Sequence, residues 1–427
     1  MDIFDLVRYK YLKRISKRYY DDMIFDMSRV DKYAAELADN IFRKNNKRFL
    51  KYEGNKTKIA FFATVLYDIG GHTQCLLNLA ESFYENEKFD LYMSTVDTLN
   101  VDIPKKLLKL NELFNITAIR PHSFSFDKYL IYFYNKIIEK SPEVIFLYIH
   151  PIDVFFSVLI CLLKKNTKIK VLYFNHASHY PNMAMTFADF ICEGTPSTVK
   201  VTNEKRHLYN TRIVGIQSKR LEDTIYYSKN ELDIVRKNLG IQKNELMTIS
   251  GGSSYKFFEN EKSEYFEMIK NILEEKQNLK HIIMSNFDEK EMLVIEKIFN
   301  ASSVYNRLKI IPMSNDFEKI FQAADLYIDS FPISGAMTQI DLMRLKVASI
   351  VKINIKNPQW SFHEYMPSDY PYMFSSVEDM KKNILELLDD SQKRQRAIML
   401  NYNFWCENLE QKKYRKKIEK IVCEVNL

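Results

Sequence analysis

Glycine is scarce in this chain: nine in 427 residues, about 2% where roughly 7% is usual. That excludes collagen-like and glycine-linker architectures, and each remaining glycine is expected where a side chain would obstruct something. Cysteine is sparse too. Cys75, Cys161, Cys192, Cys406 and Cys423 lie far apart, with no CxxC and no paired His/Cys spacing. A disulfide framework and a zinc-finger-type site are therefore disfavoured, and reduced thiols in a cytoplasmic protein fit best. The opening MDIFDLVRYKYLKR lacks the unbroken apolar stretch of a signal peptide, so export by that route is not expected. The most apolar segment, 144–163, carries His150, Pro151 and Asp153 near its middle, which reads as strand, loop and buried helix rather than a membrane span. Neither GxxxxGK[ST] nor GxGxxG occurs, which argues against an ordinary nucleotide triphosphatase or dinucleotide dehydrogenase.

What is present is the composition of a packed globular protein: 46% hydrophobic, 14% aromatic and 27% charged residues, long enough for two large domains. The net charge of +7 is concentrated at the start, where residues 1–60 hold 15 basic against 9 acidic side chains. Such a segment suits a solvated helix surface or peripheral association with an anionic membrane face through its basic helices. No nucleic-acid motif follows, so nucleic acid is not an expected partner.

Residues 1–50 read as helix throughout, with apolar residues three and four apart and no Gly or Pro before Gly54. From Lys58 the pattern becomes strand, turn and helix (KIAFFATVLY, Gly-Gly, TQCLLNLAESFYEN), repeated as EVIFLYI, HPID and VFFSVLICLLKK, with strands at KVLYF and FICEG. A second series begins at MTISGG and continues through LKHIIMSN, LKIIP, DLYIDSF and ASIVKI, with helices between. This predicts an α/β protein of two doubly wound Rossmann-like domains: a helical extension over 1–55, a first domain over 56–225, a second over 226–395, and a terminal helix over 396–427 packing across the interface. Ligands of such sheets bind beyond the carboxyl ends of the strands.

Five of the nine glycines fall at three strand-to-helix turns: Gly70 and Gly71, Gly251 and Gly252, and Gly335. A glycine there admits a ligand to the backbone, and helix-start N–H groups favour an anion such as phosphate. In the second domain the run from Gly251 to Ile353 resembles the donor domain of GT-B glycosyltransferases, in particular the O-GlcNAc-transferase-like group and the related bacterial cytoplasmic N-glycosyltransferases. Tyr255-Lys256 looks like the family's pyrophosphate-binding lysine and its neighbour, and Gly335-Ala336-Met337-Thr338-Gln339-Ile340-Asp341 looks like its GHTTGxD donor loop. The resemblance implies a nucleotide-diphosphate sugar as donor substrate, with no tightly bound cofactor. Gly251, Gly252, Tyr255, Lys256, Gly335, Met337 and Thr338 would line its phosphates, and Asp341 would hold its ribose. It also implies that no metal is needed, since a lysine and a helix N-terminus together neutralise the leaving diphosphate. The DxD metal motif of the other major glycosyltransferase fold is absent. Ala336, Met337 and Gln339 depart from the family loop, so contacts to the donor differ there. Retaining GT-B enzymes often carry a glutamate pair eight positions apart; aligning Asp341 with the second puts Ile333 at the first, which favours inversion.

An inverting transfer needs a group to take the acceptor's proton. His72 and His176 are the candidate catalytic residues, and Gly70, Gly71, His150 and His179 the acceptor-side candidates, all in loops after strands; Asp68 is a weaker base candidate because it reads as a turn residue. Asn175 to Ser178 resembles the GHPAT-like loop of the N-glycosyltransferases. Pro358 to Tyr372 reads as an irregular connection. The expected partners are a UDP-linked sugar and a protein or surface-glycan acceptor, with homo- or hetero-oligomers allowed, acting in the cytoplasm or at the cytoplasmic membrane face. The contrasting readings are another activated donor or epimerisation on the same scaffold, and a non-catalytic GT-B subunit that binds a partner enzyme or its acceptor. Lys256 reads as replaceable without unfolding.

Overall fold

Strands such as KIAFFAT are apolar on both faces, which suits parallel strands covered by helices on either side. The computed structural model describes residues 3–66, 71–85, 87–94, 108–119, 125–259, 262–300 and 302–426. The chain divides into two compact units, residues 1–215 with 415–427, and residues 216–414. The first unit begins with helices α1 (Ile3–Asp21) and α2 (Ser28–Asn45), then β1 (Thr57–Thr64), α3 (Gly71–Phe83), β2 (Phe89–Ser94), α4 (Leu108–Leu113) and β3 (Phe114–Ile119). It continues with α5 (Phe126–Lys140), β4 (Pro142–Tyr148), α6 (Val154–Asn166), β5 (Lys170–Phe174), β6 (Phe190–Glu193), α7 (Pro196–Lys205) and β7 (Thr211–Ile213). Its seven strands are parallel in the order β3-β2-β1-β4-β5-β6-β7, so the winding reverses between β1 and β4.

The second unit holds α8 (Lys229–Asn238), β8 (Leu246–Gly251), α9 (Glu264–Glu275), β9 (Leu279–Met284), α10 (Glu289–Phe299), β10 (Leu308–Ile311) and α11 (Phe317–Gln322). β11 (Leu326–Ile328), α12 (Ala336–Arg344), β12 (Ser349–Lys352), β13 (Met373–Phe374), α13 (Val377–Asp389) and α14 (Ser391–Asn408) complete it. The strands are again parallel, ordered β10-β9-β8-β11-β12-β13, and reverse between β8 and β11. A last helix, α15 (Gln411–Asn426), belongs to the first unit from Arg415 onward, where Arg415 bonds the Ser82 carbonyl and Glu85.

The segment 144–163 is a strand, a loop and a helix, and no described helix is long and apolar enough to cross a membrane. Every residue of α6 from Val154 to Leu163 is buried, because it packs against α2 and α5 and shares one core with β1, where Phe156 meets Phe62. Val30, Ala34, Leu37, Ala38 and Ile41 of α2 repeat at helical spacing and join that core. The continuous helix expected over 1–50 is broken at Asp22-Met23. Met23 takes φ +54°, and the bonds Met23 N–H to Tyr20 O and Ile24 N–H to Tyr19 O close the end of α1. This is a Schellman-type cap built without the glycine that normally announces it.

Candidate active site

The reversal point of the second sheet lies between β8 and β11; β8 ends in Gly251, which the sequence singled out, and the loop after β11 leads to Gly335. β8 delivers Gly251 and Gly252. A Cβ on Gly251 would stand 3.1 Å from the Phe321 ring, and Gly252 has φ +157°, with its missing Cβ 3.3 Å from the Lys256 stem. A short 3-10 turn, Ser254–Phe257, then carries Lys256 back toward the loop after β11, where its ammonium donates to the Ser334 carbonyl at 3.2 Å. Lys256 is thus half-buried and bonded, not the freely replaceable surface lysine its position suggested. Burial holds its ammonium below the usual range, with the Asp329 carboxylate working against the shift.

Asp329, which the sequence did not flag, organises this loop. It is fully buried at the end of β11; one carboxylate oxygen accepts the Gly335 N–H at 3.1 Å and the other the Ser334 hydroxyl. Burial raises its pKa, and those hydrogen bonds and Lys256 oppose the rise. Gly335 caps α12, and a Cβ there would crowd the Thr338 hydroxyl at 3.3 Å while touching the Gly251 carbonyl at an ordinary 3.6 Å. The first turn of α12 therefore presents its N–H groups beside Lys256, an arrangement suited to a diphosphate. Met337 and Thr338 lie in that turn, both half-buried, and Tyr255 is exposed beside Lys256. Trp360 is tied to the same loop, its carbonyl accepting the Ser334 N–H at 2.7 Å, while its indole N–H is buried without a partner among the described residues.

Asp341 is set differently. It sits further along α12, with Oδ1 2.9 Å from a guanidinium nitrogen of fully buried Arg344, which in turn meets Glu318 at 2.8 Å. Burial raises the Asp341 pKa against the pull of Arg344 and Lys219.

In the first unit the corresponding reversal point gathers the histidines. His72 starts α3 after β1, His150 follows β4, and His176 and His179 follow β5. The His72 and His176 rings stack at 4.1 Å, 22° from parallel. His72 Nε2 lies 3.3 Å from the Tyr148 carbonyl and His176 Nδ1 3.3 Å from the Phe174 carbonyl. A carbonyl only accepts, so those nitrogens carry the protons, leaving His72 Nδ1 and His176 Nε2 as the lone-pair nitrogens. Burial lowers the pKa of His72 and of His150 to about 4 and holds His176 well below the ordinary value, the neighbouring imidazoles adding to it at His72 and His176. Gly71 opens α3, whereas Gly70 and Asp68 lie outside the described residues.

Groups the sequence reading missed hold these loops in place. Asp153 caps α6 by accepting Phe156 N–H at 2.8 Å, and it accepts the Thr64 and Ser94 hydroxyls from the ends of β1 and β2. Buried Glu193 at the end of β6 accepts from Asn175 and Thr202, and Arg206 donates to the Ser178 and Tyr180 carbonyls at 2.8 Å each. Tyr20 of α1 stacks on Tyr180 at 4.8 Å and lies 6.1 Å from the His150 ring.

No protein-family model and no curated protein matches the chain. Solved structures do. It is similar to Anabaena HepE in complex with UDP and glucose, TM-score 0.67 at 11% identity, over 86% of this chain and 100% of that one. A glycosyltransferase from Rickettsia africae ESF-5 aligns with TM-score 0.66 at 10% identity, over 86% of this chain and 99% of that one. A mutant Thermobaculum terrenum O-GlcNAc transferase aligns with TM-score 0.60 at 9% identity, over 98% of this chain and 77% of that one. At such identities the likeness speaks for architecture: two parallel doubly wound units, in the GT-B fold of glycosyltransferases.

Proposed function

We propose that this protein is an inverting, metal-independent glycosyltransferase that moves a hexose or N-acetylhexosamine from a UDP-linked donor to a protein side chain or a growing surface glycan. It would act in the cytoplasm or at the cytoplasmic face of a membrane. The observation that carries the reading is the meeting of Lys256, the Asp329-held loop and the α12 N-terminus at the reversal point of the second sheet. There a cation and a row of N–H groups oppose the negative charge that grows on a departing diphosphate, the role a metal ion plays elsewhere. The UDP bound to HepE supports uridine as the nucleoside. In the transfer, the acceptor oxygen or nitrogen bonds to the sugar C1 as the C1–O bond to the diphosphate breaks. The electron pair leaves on the diphosphate toward Lys256, and the acceptor's proton passes to His72 Nδ1 or His176 Nε2. Both imidazoles are held neutral near pH 7, and their stacking allows one of them to become charged at a time.

One observation favours the non-catalytic alternative: the Asp341 carboxylate is engaged by Arg344, so it is not simply presented to a ribose. Ligand-observed NMR with UDP, GDP, CDP and their sugar conjugates separates the readings. The enzyme reading expects one nucleoside diphosphate to bind and Lys256→Ala to lose it. A folded protein that binds none of them is a scaffold subunit.

A further inference from the structure

The helix α1 is fastened to the body of the first unit mainly by one side, although Tyr11 of its outward side rests edge-on against Tyr33 of α2 at 5.2 Å. Tyr9, Leu12 and Ser16 are buried, while Ile3, Phe4, Val7 and Tyr11 are 70%, 72%, 61% and 45% exposed. At about 100° per residue these four fall within an arc of roughly 100°, diametrically opposite the buried residues. Arg14 and Arg18 continue the same arc through the next two turns, with Lys10 and Lys17 at its edge. The outward face therefore changes along its length, apolar for two turns and then basic. Residues 3–21 hold six basic and two acidic side chains, and the acidic groups by the basic end, Asp21 and Asp22, pair with Lys17 and Arg18.

Because the buried side is locked to α2 and α6, this face cannot turn inward to hide its phenylalanine. Clustered exposed apolar residues on a folded surface mark an interaction site. Apolar residues beside a basic band on one helix face match the acyl and headgroup layers of an anionic bilayer. We propose that α1 docks on an anionic lipid bilayer, with Ile3, Phe4, Val7 and Tyr11 entering the interface and Lys10, Arg14 and Arg18 meeting lipid phosphates. This stands independently of the donor site. It also has a consequence for the acceptor: the other end of α1 carries Tyr20 against Tyr180 and His150, so the histidine loop lies about 25 Å along the helix from the inserted end. A glycan or protein growing at the membrane surface would arrive there.

The test is sedimentation of the full chain with vesicles of phosphatidylcholine alone or with about 30% phosphatidylglycerol. Binding is expected with the anionic vesicles, weakened by salt, and reduced about tenfold or more by Phe4→Ser with Val7→Ser and by Lys10→Glu with Arg14→Glu. All these positions are exposed, so circular dichroism and UDP binding should be unchanged in both variants. A chain that stays in the supernatant with anionic vesicles overturns the proposal, as does a Phe4→Ser, Val7→Ser variant that sediments like the parent. A dimer in sedimentation velocity that those two serines dissolve, with no vesicle binding, assigns the face to a second copy of the chain instead.

Discussion

The two reversal points share one topology and differ in what they place there. At the end of β8 and β11 the chain sets a cation, a helix N-terminus and a buried carboxylate that shapes the loop between them. In the loops after β1 and β5 it sets stacked imidazoles whose pKa values are driven down by burial. The first arrangement is chemistry for an anion and the second for a proton. A duplicated scaffold fixes where a ligand can sit, and the side chains after each strand decide what happens to it.

The sharpest way to break the contrast is to remove the cation. Lys256→Ala should lower turnover by about 10²–10³-fold, the range seen when one charge-stabilising donor is lost, and should abolish UDP binding. An equally damaged variant that still binds UDP would move the anion site elsewhere. On the other side, His72→Asn should lower kcat by about 100-fold while leaving the donor KM within about twofold. The pH profile sharpens this further. If His72 takes the proton, its neutral imidazole is the active form, and activity would be lost as pH falls through its pKa, which lies near 4 rather than 6.5. Retained kcat/KM down to about pH 5, with a fall below it, is expected; an acid limb near 6.5 would mean that a solvent-exposed group takes the proton.

Much of this was legible. Apolar runs gave the principal strands, Gly251 and Gly335 mark the end of β8 and the start of α12, and all four histidines of the first site lie after strands as expected. What escaped has physical reasons. The edge-side strands Phe89–Ser94 and Phe114–Ile119 mix polar and apolar residues and carry no turn signal that isolates them. The end of α1 is capped by a methionine in the left-handed region, which no sequence rule expects. Asp329, Asp153 and Glu193 look like ordinary carboxylates at strand ends or helix starts. Their importance comes from partners five to ninety residues away, such as Ser334 for Asp329 and Thr64 for Asp153. Asp341 was recognised by its motif, but its engagement by Arg344 depends on burial that a motif does not encode.

The loop-holding carboxylates offer the next, smaller contrast. Asp329→Asn keeps one acceptor and loses the other, leaving a buried hydroxyl or N–H of the donor loop unpaired, and should cost about 2 kcal/mol in urea unfolding together with most of the UDP affinity. Asp153→Asn removes an equivalent acceptor at the end of the His150 loop, where one oxygen receives the Thr64 and Ser94 hydroxyls. It should cost similar stability while UDP binding persists and turnover falls. If Asp153→Asn loses UDP binding as well, the two sites are not separable in the way their chemistry implies.

The smallest effect concerns the segment that reads as a mere connection. The chain has two tryptophans. Trp405 is fully buried and donates to the Ser218 hydroxyl at 2.7 Å, so its emission should be indifferent to ligands. Trp360 is anchored through its carbonyl to Ser334, one residue from the Gly335 cap, with its indole N–H unpaired among the described residues, so a donor at Lys256 would arrive beside it. UDP-sugar should therefore shift the intrinsic fluorescence of the parent and not that of Trp360→Phe. That variant keeps an aromatic ring, smaller than the indole, and deletes the N–H, and should weaken donor binding about fivefold, the worth of one hydrogen bond near 1 kcal/mol. Unchanged affinity and an unchanged fluorescence response would return residues 358–372 to the role of a connection, and confine the donor site to the loops after β8 and β11.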